Sequence, residues 1–126
     1  MKLYLKPGAC SLSPHIVLRE AGYNFDLEKV DLASKQTASG GDYRKVNPKG
    51  YVPALTLDGG ETLTEGPAIV QWVADQRPSM GRTPANGTME RYRLQEWLNF
   101  ITSELHKSMG ALFNKELPDL ARQLFK

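Results

Sequence analysis

A stretch rich in proline, glycine and small polar residues, RPSMGRTPANGT at positions 77–88, separates two parts of the sequence that have different patterns. Before it, short apolar runs with strand-like alternation are interspersed with segments of helical periodicity. After it, only helical periodicity is found. This composition is typical of a linker between domains. We therefore predict an α/β domain at residues 1–78 and an all-helical segment at residues 88–126.

The first part is predicted to form one small mixed sheet covered by helices. Strand-like composition is found in three runs, at residues 2–5, 25–32 and 53–57, and the DGG sequence at positions 58–60 favours a hairpin into a fourth strand. Apolar residues recur at helical spacing after Ser11 and after Glu65, and a short helix is expected at residues 42–46. This order of strands and helices fits a single sheet with helices packed against it.

The part beyond the linker is predicted to be a long helix, from about Thr88 to Met109, with a further helix at residues 117–125. At helical spacing, six residues of the long helix form one apolar stripe: Leu94, Trp97, Leu98, Ile101, Leu105 and Met109. Two helices cannot enclose a core by themselves, so they must pack on the first part, on another chain or on residues that this chain lacks. We therefore expect a dimer or a larger assembly.

Net charge, the length of apolar runs and the absence of several motifs exclude some classes of function. The net charge is +2 and the basic residues are scattered along 126 residues, so a nucleic-acid interface is not expected. No apolar run approaches the ~20 residues that a membrane span needs, and the N-terminus lacks the core of a signal peptide. Paired Cys/His spacings, a glycine-rich phosphate loop and a nucleophile elbow are all missing, so no metal or nucleotide site is predicted. We expect a cytoplasmic protein without membrane contact.

The single cysteine, Cys10, lies between the Pro7-Gly8 turn and the helix predicted after Ser11. A thiol at a helix N-terminus faces unpaired backbone N–H groups and the positive end of the helix dipole, which both favour the thiolate. A free cysteine can equally be a small buried apolar side chain. We favour a reactive thiol with a lowered pKa.

Two further candidates lie at predicted strand and helix starts. Pro53 cannot donate to a strand ladder, so it marks a sheet edge or a special turn. The residues alone favour a trans bond to Val52, whereas a cis bond would leave the Val52 N–H and C=O free for an extended peptide. Glu65 and Gly66 open a helix, where a carboxylate and free N–H groups would hold the charged ends of an amino acid. Glu65 is equally explained as a favourable charge at a helix start.

The long helix carries polar candidates beside its apolar stripe. Asn99 and His106 are seven residues apart, about two turns of an α-helix, and therefore lie on one face near Ser103. This arrangement is expected of residues that line a cleft between packed units. A solvated helix flank is the alternative, and for a lone histidine it is the more common case.

Four motifs in this order, PGACSLSPHIVLREAG, NPKGYVPAL, LTEGPAIVQWVAD and EWLNFITSELHK, resemble the bacterial beta-class cytosolic glutathione S-transferases. The resemblance covers essentially the whole chain. It implies an α/β thioredoxin-like domain followed by an all-helical domain, in a homodimer. Members of this family continue through several more helices, so the resemblance also implies that the helical domain is incomplete here, as in a fragment or a truncated relative.

The resemblance also implies an activity and a set of site residues. The activity is conjugation of the glutathione thiol to small hydrophobic electrophiles in detoxification, with thiol–disulfide exchange as a side activity. A non-catalytic binding or regulatory module with the same fold is the alternative. Pro53 becomes a cis-proline, and Cys10 and His106 lie beside the glutathione sulfur. The remaining glutathione contacts are assigned to Lys35, Val52, Glu65, Gly66, Asn99, Ser103 and Glu104.

Overall fold

The computed structural model describes residues 1–110 and Pro118, and the chain divides into two compact units, Met1–Thr83 and Pro84–Lys126. The division falls within the linker stretch at residues 77–88. The helix predicted at residues 117–125 lies outside the described residues, apart from Pro118. Within the described part of the chain, no helix combines the length and the apolar character that crossing a bilayer requires.

The first unit contains a five-stranded sheet in the order β3-β2-β1-β4-β5. Its strands are β1 (Lys2–Leu5), β2 (Asp26–Asp31), β3 (Gln36–Thr37), β4 (Ala54–Thr56) and β5 (Thr62–Thr64). β1 and β2 are parallel, and every other neighbouring pair is antiparallel, so the sheet is mixed as predicted. β3 lies in a polar, glycine-bearing stretch where the sequence predicts no strand, because two residues are too short to show a period.

Two helices, α1 (Leu12–Glu20) and α2 (Gly66–Asp75), pack on one face of this sheet. The core beneath them consists of Leu3, Leu18, Phe25, Leu55, Ile69 and Val73. Leu12 and Ile16, two of the apolar residues that predict α1, are 57% and 48% exposed, whereas Pro14 and Leu18 are buried. The helix is therefore correctly predicted, but only part of its apolar set faces the sheet.

A smaller cluster of Val30, Tyr43, Val52 and Ala54 covers the opposite face. Because side chains alternate along a strand, Leu55 faces the helices while Ala54 faces this second cluster. Tyr43 begins a short 3₁₀ turn, Tyr43–Lys45, which replaces the helix predicted at residues 42–46. The mixed sheet with its helices is a thioredoxin-like arrangement, as predicted.

The second unit contains α3 (Met89–Phe100), a π-helical turn (Ile101–His106) and a short α4 (Lys107–Gly110). Thr88 caps α3, since its hydroxyl accepts a hydrogen bond from the Arg91 N–H at 3.2 Å. The π turn breaks the uniform α-helical period from which the apolar stripe is predicted. In the structure Leu94 and Leu98 are half-buried, and the other stripe members are exposed: Trp97, Ile101, Leu105 and Met109.

Candidate functional site

The turn that carries Cys10 is held by a serine that the sequence analysis does not single out as a structural residue. Ser11 is 1% exposed, and its hydroxyl both donates to the Lys6 carbonyl and accepts from the Lys6 N–H, each at 3.1 Å. The Ala9 N–H also donates to the Lys6 carbonyl, at 3.1 Å. These bonds fix the chain between β1 and α1 and present Cys10 at the surface, where it is exposed.

The Cys10 thiol lies against the main chain of Val52. Cys10 Sγ donates to the Val52 carbonyl oxygen at 3.3 Å. The peptide bond from Val52 to Pro53 is cis, so the trans bond that the residues alone favour is wrong. The structure thus brings Cys10, Val52 and Pro53 to one point, just before β4 begins.

The pKa of Cys10 is raised above its ordinary value, which corrects the prediction of a lowered pKa. Loss of solvent around the sulfur is the largest cause, and the negative charge of Glu65 acts in the same direction. The N–H groups of Cys10 and Ser11 lower the pKa, but by less. The next two N–H groups, of Leu12 and Ser13, donate to the carbonyls of Ala9 and Cys10. The helix N-terminus therefore has fewer free donors for the thiolate than its sequence suggests.

We expect the alkylation rate of Cys10 by iodoacetamide to rise with pH through a midpoint above the ~8.5 of a free cysteine. The thiolate is the reacting species, and a raised pKa delays its formation to higher pH. The rate should be measured from pH 6 to pH 11 on the folded chain, with an unstructured peptide of residues 7–13 as the matched control. A midpoint below that of the peptide would restore the prediction of an activated thiol.

The loop before Val52 is joined to Lys35. Lys35 Nζ donates to the Gly50 carbonyl at 3.0 Å and lies 5.6 Å from the centre of the Tyr51 ring. Gly50 has φ +70°, and a Cβ there would lie 3.3 Å from Cδ and Cε of Lys35. The positive φ favours glycine at this position, and a larger residue would also have to displace the end of the Lys35 side chain. Lys35 thus bonds to the loop two residues before Val52.

Glu65 stands at the N-cap position of α2, but its side chain does not cap the helix. Instead, Glu65 Oε1 accepts from Lys49 Nζ at 2.6 Å, and the same amine donates to Thr64 Oγ1 at 3.1 Å. Gly66 begins the helix, and a Cβ built on it would meet nothing within 4 Å. Glu65 is thus an exposed carboxylate beside an open helix start, and Lys49 is a partner that the sequence analysis missed.

Among the residues that the structure describes, only two that are not glycine have positive φ angles. They are Lys35, at +59°, and Glu65, at +69°. Such backbone conformations are unfavourable for residues with a Cβ and concentrate at functional sites. Both residues are in the predicted site, and the charge of Glu65 reaches the Cys10 sulfur.

The four candidates of the second unit lie along its helical segment. Asn99 is in the last turn of α3, whereas Ser103, Glu104 and His106 lie in the π turn, and all four are exposed. Ser103 Oγ donates to the Asn99 carbonyl at 3.0 Å. The wider π turn changes the angle between Asn99 and His106, so their shared face does not follow from α-helical geometry. Single π turns within helices occur frequently at functional sites.

The described residues contain no group of three or more His, Cys, Asp or Glu side chains that could hold a metal ion. The first unit presents a thiol, the main chain of Val52 just before β4, and a carboxylate at a helix start.

Comparison with known proteins gives one family. Residues 8–76, more than half of the chain, match the family described as glutathione S-transferase, N-terminal domain. Glutathione S-transferase GstA of Escherichia coli O157:H7 is 51% identical over 119 residues, which cover 94% of this chain and 59% of that protein.

Two solved structures are similar throughout the chain. A bacterial beta-class glutathione S-transferase from Sphingomonas chungbukensis is 54% identical, with a TM-score of 0.96 over 99% of this chain and 62% of that one. A sphingomonad glutathione S-transferase complexed with glutathione is also 54% identical, with a TM-score of 0.95 over the same shares of the two chains.

The chain spans about three fifths of the length of these relatives. The part that matches the family includes the Cys10 turn, the loop before Val52 and the start of α2. The similarity to beta-class enzymes confirms the family that the four sequence motifs indicate. The chain belongs to the glutathione S-transferase family.

Proposed function

We propose that this chain binds glutathione through its first unit and that the protein conjugates the glutathione thiol to small hydrophobic electrophiles. One observation carries the proposal: the Cys10 sulfur lies 3.3 Å from the Val52 carbonyl oxygen, and the Val52 N–H has no acceptor among the described residues. A free main-chain donor beside a thiol suits a cysteine-containing peptide, which would pair with Val52 as an added strand does.

The charged groups around this point suit the two ends of glutathione. Glutathione has an ammonium and a carboxylate at its γ-glutamyl end and a second carboxylate at its glycine end. The Glu65 carboxylate would bind the ammonium, and the N–H groups at the start of α2 would bind the adjacent carboxylate. Lys35, which donates to Gly50 in the free chain, would bind the other carboxylate with its remaining N–H groups.

The raised pKa of Cys10 gives this residue a defined part in the chemistry. At neutral pH its thiol stays protonated, so it does not compete with glutathione as a nucleophile. Its S–H, which donates to Val52 in the free chain, would instead donate to the glutathione sulfur and stabilise the thiolate. That thiolate attacks the carbon of the electrophile, and the leaving group departs with the bonding electron pair.

The second unit and a second copy of the chain complete the proposal. By the family resemblance, Asn99, Ser103, Glu104 and His106 would contribute to the glutathione site, with His106 beside the sulfur. The protein would act as a homodimer in the cytoplasm in detoxification. Support for the compartment comes from the family and from the single cysteine, which can form no internal disulfide.

Replacement of His106 by alanine should lower the turnover of conjugation by roughly tenfold or more, because a donor or base beside the sulfur would be lost. The side chain is exposed, so the free energy of unfolding should change by less than about 0.5 kcal/mol. Steady-state kinetics and thermal unfolding measure the two effects, with Ser108→Ala as the control on the same segment. Equal losses of stability and activity would make His106 a structural residue.

We expect the chain to be a dimer or a larger species at micromolar concentration. Among the described residues of the second unit, seven large apolar side chains are more than 40% exposed: Met89, Tyr92, Trp97, Phe100, Ile101, Leu105 and Met109. Apolar surface of this extent favours association. Light scattering coupled to size exclusion gives the mass, and a monodisperse monomer at these concentrations would contradict the expectation.

The test of the proposed function combines binding and turnover. The chain should be retained by immobilised glutathione, should be released by free glutathione and should conjugate a generic aromatic halide. A chain that neither binds glutathione nor turns over the halide would refute the proposal. Binding without turnover would favour the non-catalytic module.

A further inference from the structure

The Tyr51 carbonyl oxygen is held by two buried side chains. Tyr43 Oη donates to it at 2.8 Å, and Asn47 Nδ2 donates to it at 2.7 Å. Tyr43 is fully buried and Asn47 is 2% exposed, so bulk water could not replace either hydrogen bond. Two short bonds from buried donors fix the direction of this carbonyl firmly.

The direction of the carbonyl determines that of the Val52 N–H. The peptide from Tyr51 to Val52 is trans, and in a planar trans peptide the N–H points away from the C=O. The described part of the chain provides no acceptor for this N–H. One peptide further on, the Val52 carbonyl accepts from the Cys10 thiol. The Val52 amide is therefore oriented by its own peptide group and remains available to a ligand.

Both donors are themselves anchored. Asn47 Oδ1 accepts from the Lys49 N–H at 3.1 Å, and the Asn47 N–H donates to the Tyr43 carbonyl at 2.9 Å. The Tyr43 N–H donates to the Lys35 carbonyl at 2.8 Å, and its ring packs on Tyr4 with 5.5 Å between centroids. The pair thus connects the loop before Val52 to the body of the unit.

We propose that Tyr43 and Asn47 are positioning residues, which fix the Val52 N–H for the peptide backbone of glutathione by holding the Tyr51 carbonyl. This inference rests on the proposed function, since it assigns that N–H to the ligand. A donor that is already aligned loses little freedom on binding. Removal of either side-chain donor therefore weakens glutathione binding without any change to a group that contacts the ligand.

The experiment compares variants of the full chain in two measurements. Calorimetry gives the dissociation constant of reduced glutathione, and NMR gives the ¹⁵N shift of the Val52 amide in the free chain. Tyr43→Phe should weaken binding roughly 3- to 10-fold and move the Val52 shift, because one bond to the Tyr51 carbonyl is lost. Asn47→Asp, which keeps an acceptor for Lys49 but not the donor, should do the same.

Two control variants separate positioning from a general loss of stability. Tyr4→Phe removes a hydroxyl from the same aromatic pair without touching the Tyr51 carbonyl, and Phe25→Leu loosens the buried cluster on the other face of the sheet, which does not contain Val52. Both should bind glutathione within twofold of the unmodified chain and leave the Val52 shift in place. Unchanged binding in Tyr43→Phe, or equal weakening in Phe25→Leu, would overturn the inference.

The NMR measurement also distinguishes a failure of the amide positioning from a failure of the proposed function. If the unmodified chain does not bind glutathione, the proposed function fails. The positioning of the amide is then decided by the Val52 shift alone. A shift that moves in Tyr43→Phe but not in Phe25→Leu upholds the positioning, and a shift that moves in neither overturns it.

Discussion

Replacement of Glu65 by glutamine should weaken the binding of glutathione by roughly 10- to 100-fold. This factor corresponds to the free energy of one hydrogen bond to a charged group. Glutamine keeps the shape of the side chain but removes the charge that the ligand ammonium needs. The ion pair with Lys49 is also lost, but both side chains are more than half exposed, so the fold should lose less than ~1 kcal/mol. Calorimetry measures the binding, and urea unfolding measures the stability.

The same substitution, which weakens glutathione binding, should make the Cys10 thiol more reactive. The charge of Glu65 raises the pKa of Cys10, so its removal lowers that pKa and speeds alkylation at a fixed pH. Glu61→Gln, an equal change of charge in the hairpin between β4 and β5, is the matched control and should alter neither quantity. Unchanged glutathione binding in Glu65→Gln would reduce Glu65 to a surface ion-pair partner.

Incubation with oxidised glutathione should attach one glutathione to each chain, at Cys10. The Cys10 thiolate attacks one sulfur of the disulfide, a new S–S bond forms, and reduced glutathione leaves as a thiolate that takes up a proton. Because Cys10 is the single cysteine of the chain, no second thiol in the chain can displace the attached glutathione. The mixed disulfide should therefore accumulate and be seen by intact mass.

The pH dependence of this reaction follows from the raised pKa of Cys10. The thiolate attacks, so the rate should be low at neutral pH and rise through a midpoint above that of a free cysteine. Cys10→Ser should remain unmodified, and the peptide of residues 7–13 gives the rate without a folded site. If the folded chain stays unmodified up to pH 10, Cys10 is a small apolar side chain that packs in the turn and takes no part in thiol chemistry.

Much of the fold is predictable because its elements carry strong local patterns. The DGG sequence at positions 58–60 predicts the hairpin, and Leu57 and Glu61 do pair across it, with the Leu57 N–H donating to the Glu61 carbonyl at 2.8 Å. β3 and the π turn are not predictable, since a two-residue strand has no period and a π turn has no distinct composition. The second-unit candidates therefore stay a prediction, and the angle between Asn99 and His106 does not follow from the sequence.

The sequence predicts which residue types form a candidate site, but not the electrostatics of those residues. Cys10 is singled out by its place before a helix, yet its pKa depends on which nearby N–H groups are already taken by carbonyls. Which N–H groups are bonded depends on the geometry of the turn, and this geometry cannot be read from the sequence. The sequence does not single out Tyr43, Asn47 or Lys49. Tyr43 and Asn47 donate to a main-chain carbonyl, and Lys49 donates to Glu65. These contacts form only when the loop is folded.

The most direct test of the glutathione site is an NMR titration of the ¹⁵N-labelled chain with reduced glutathione. Saturable shifts are expected, centred on the amides of Cys10, Val52 and Gly66, with one binding constant for all three. In Glu65→Gln the same amides should shift only at roughly 10- to 100-fold higher ligand concentration. Amides that do not move, or shifts centred away from these three residues, would rule out the proposed glutathione site.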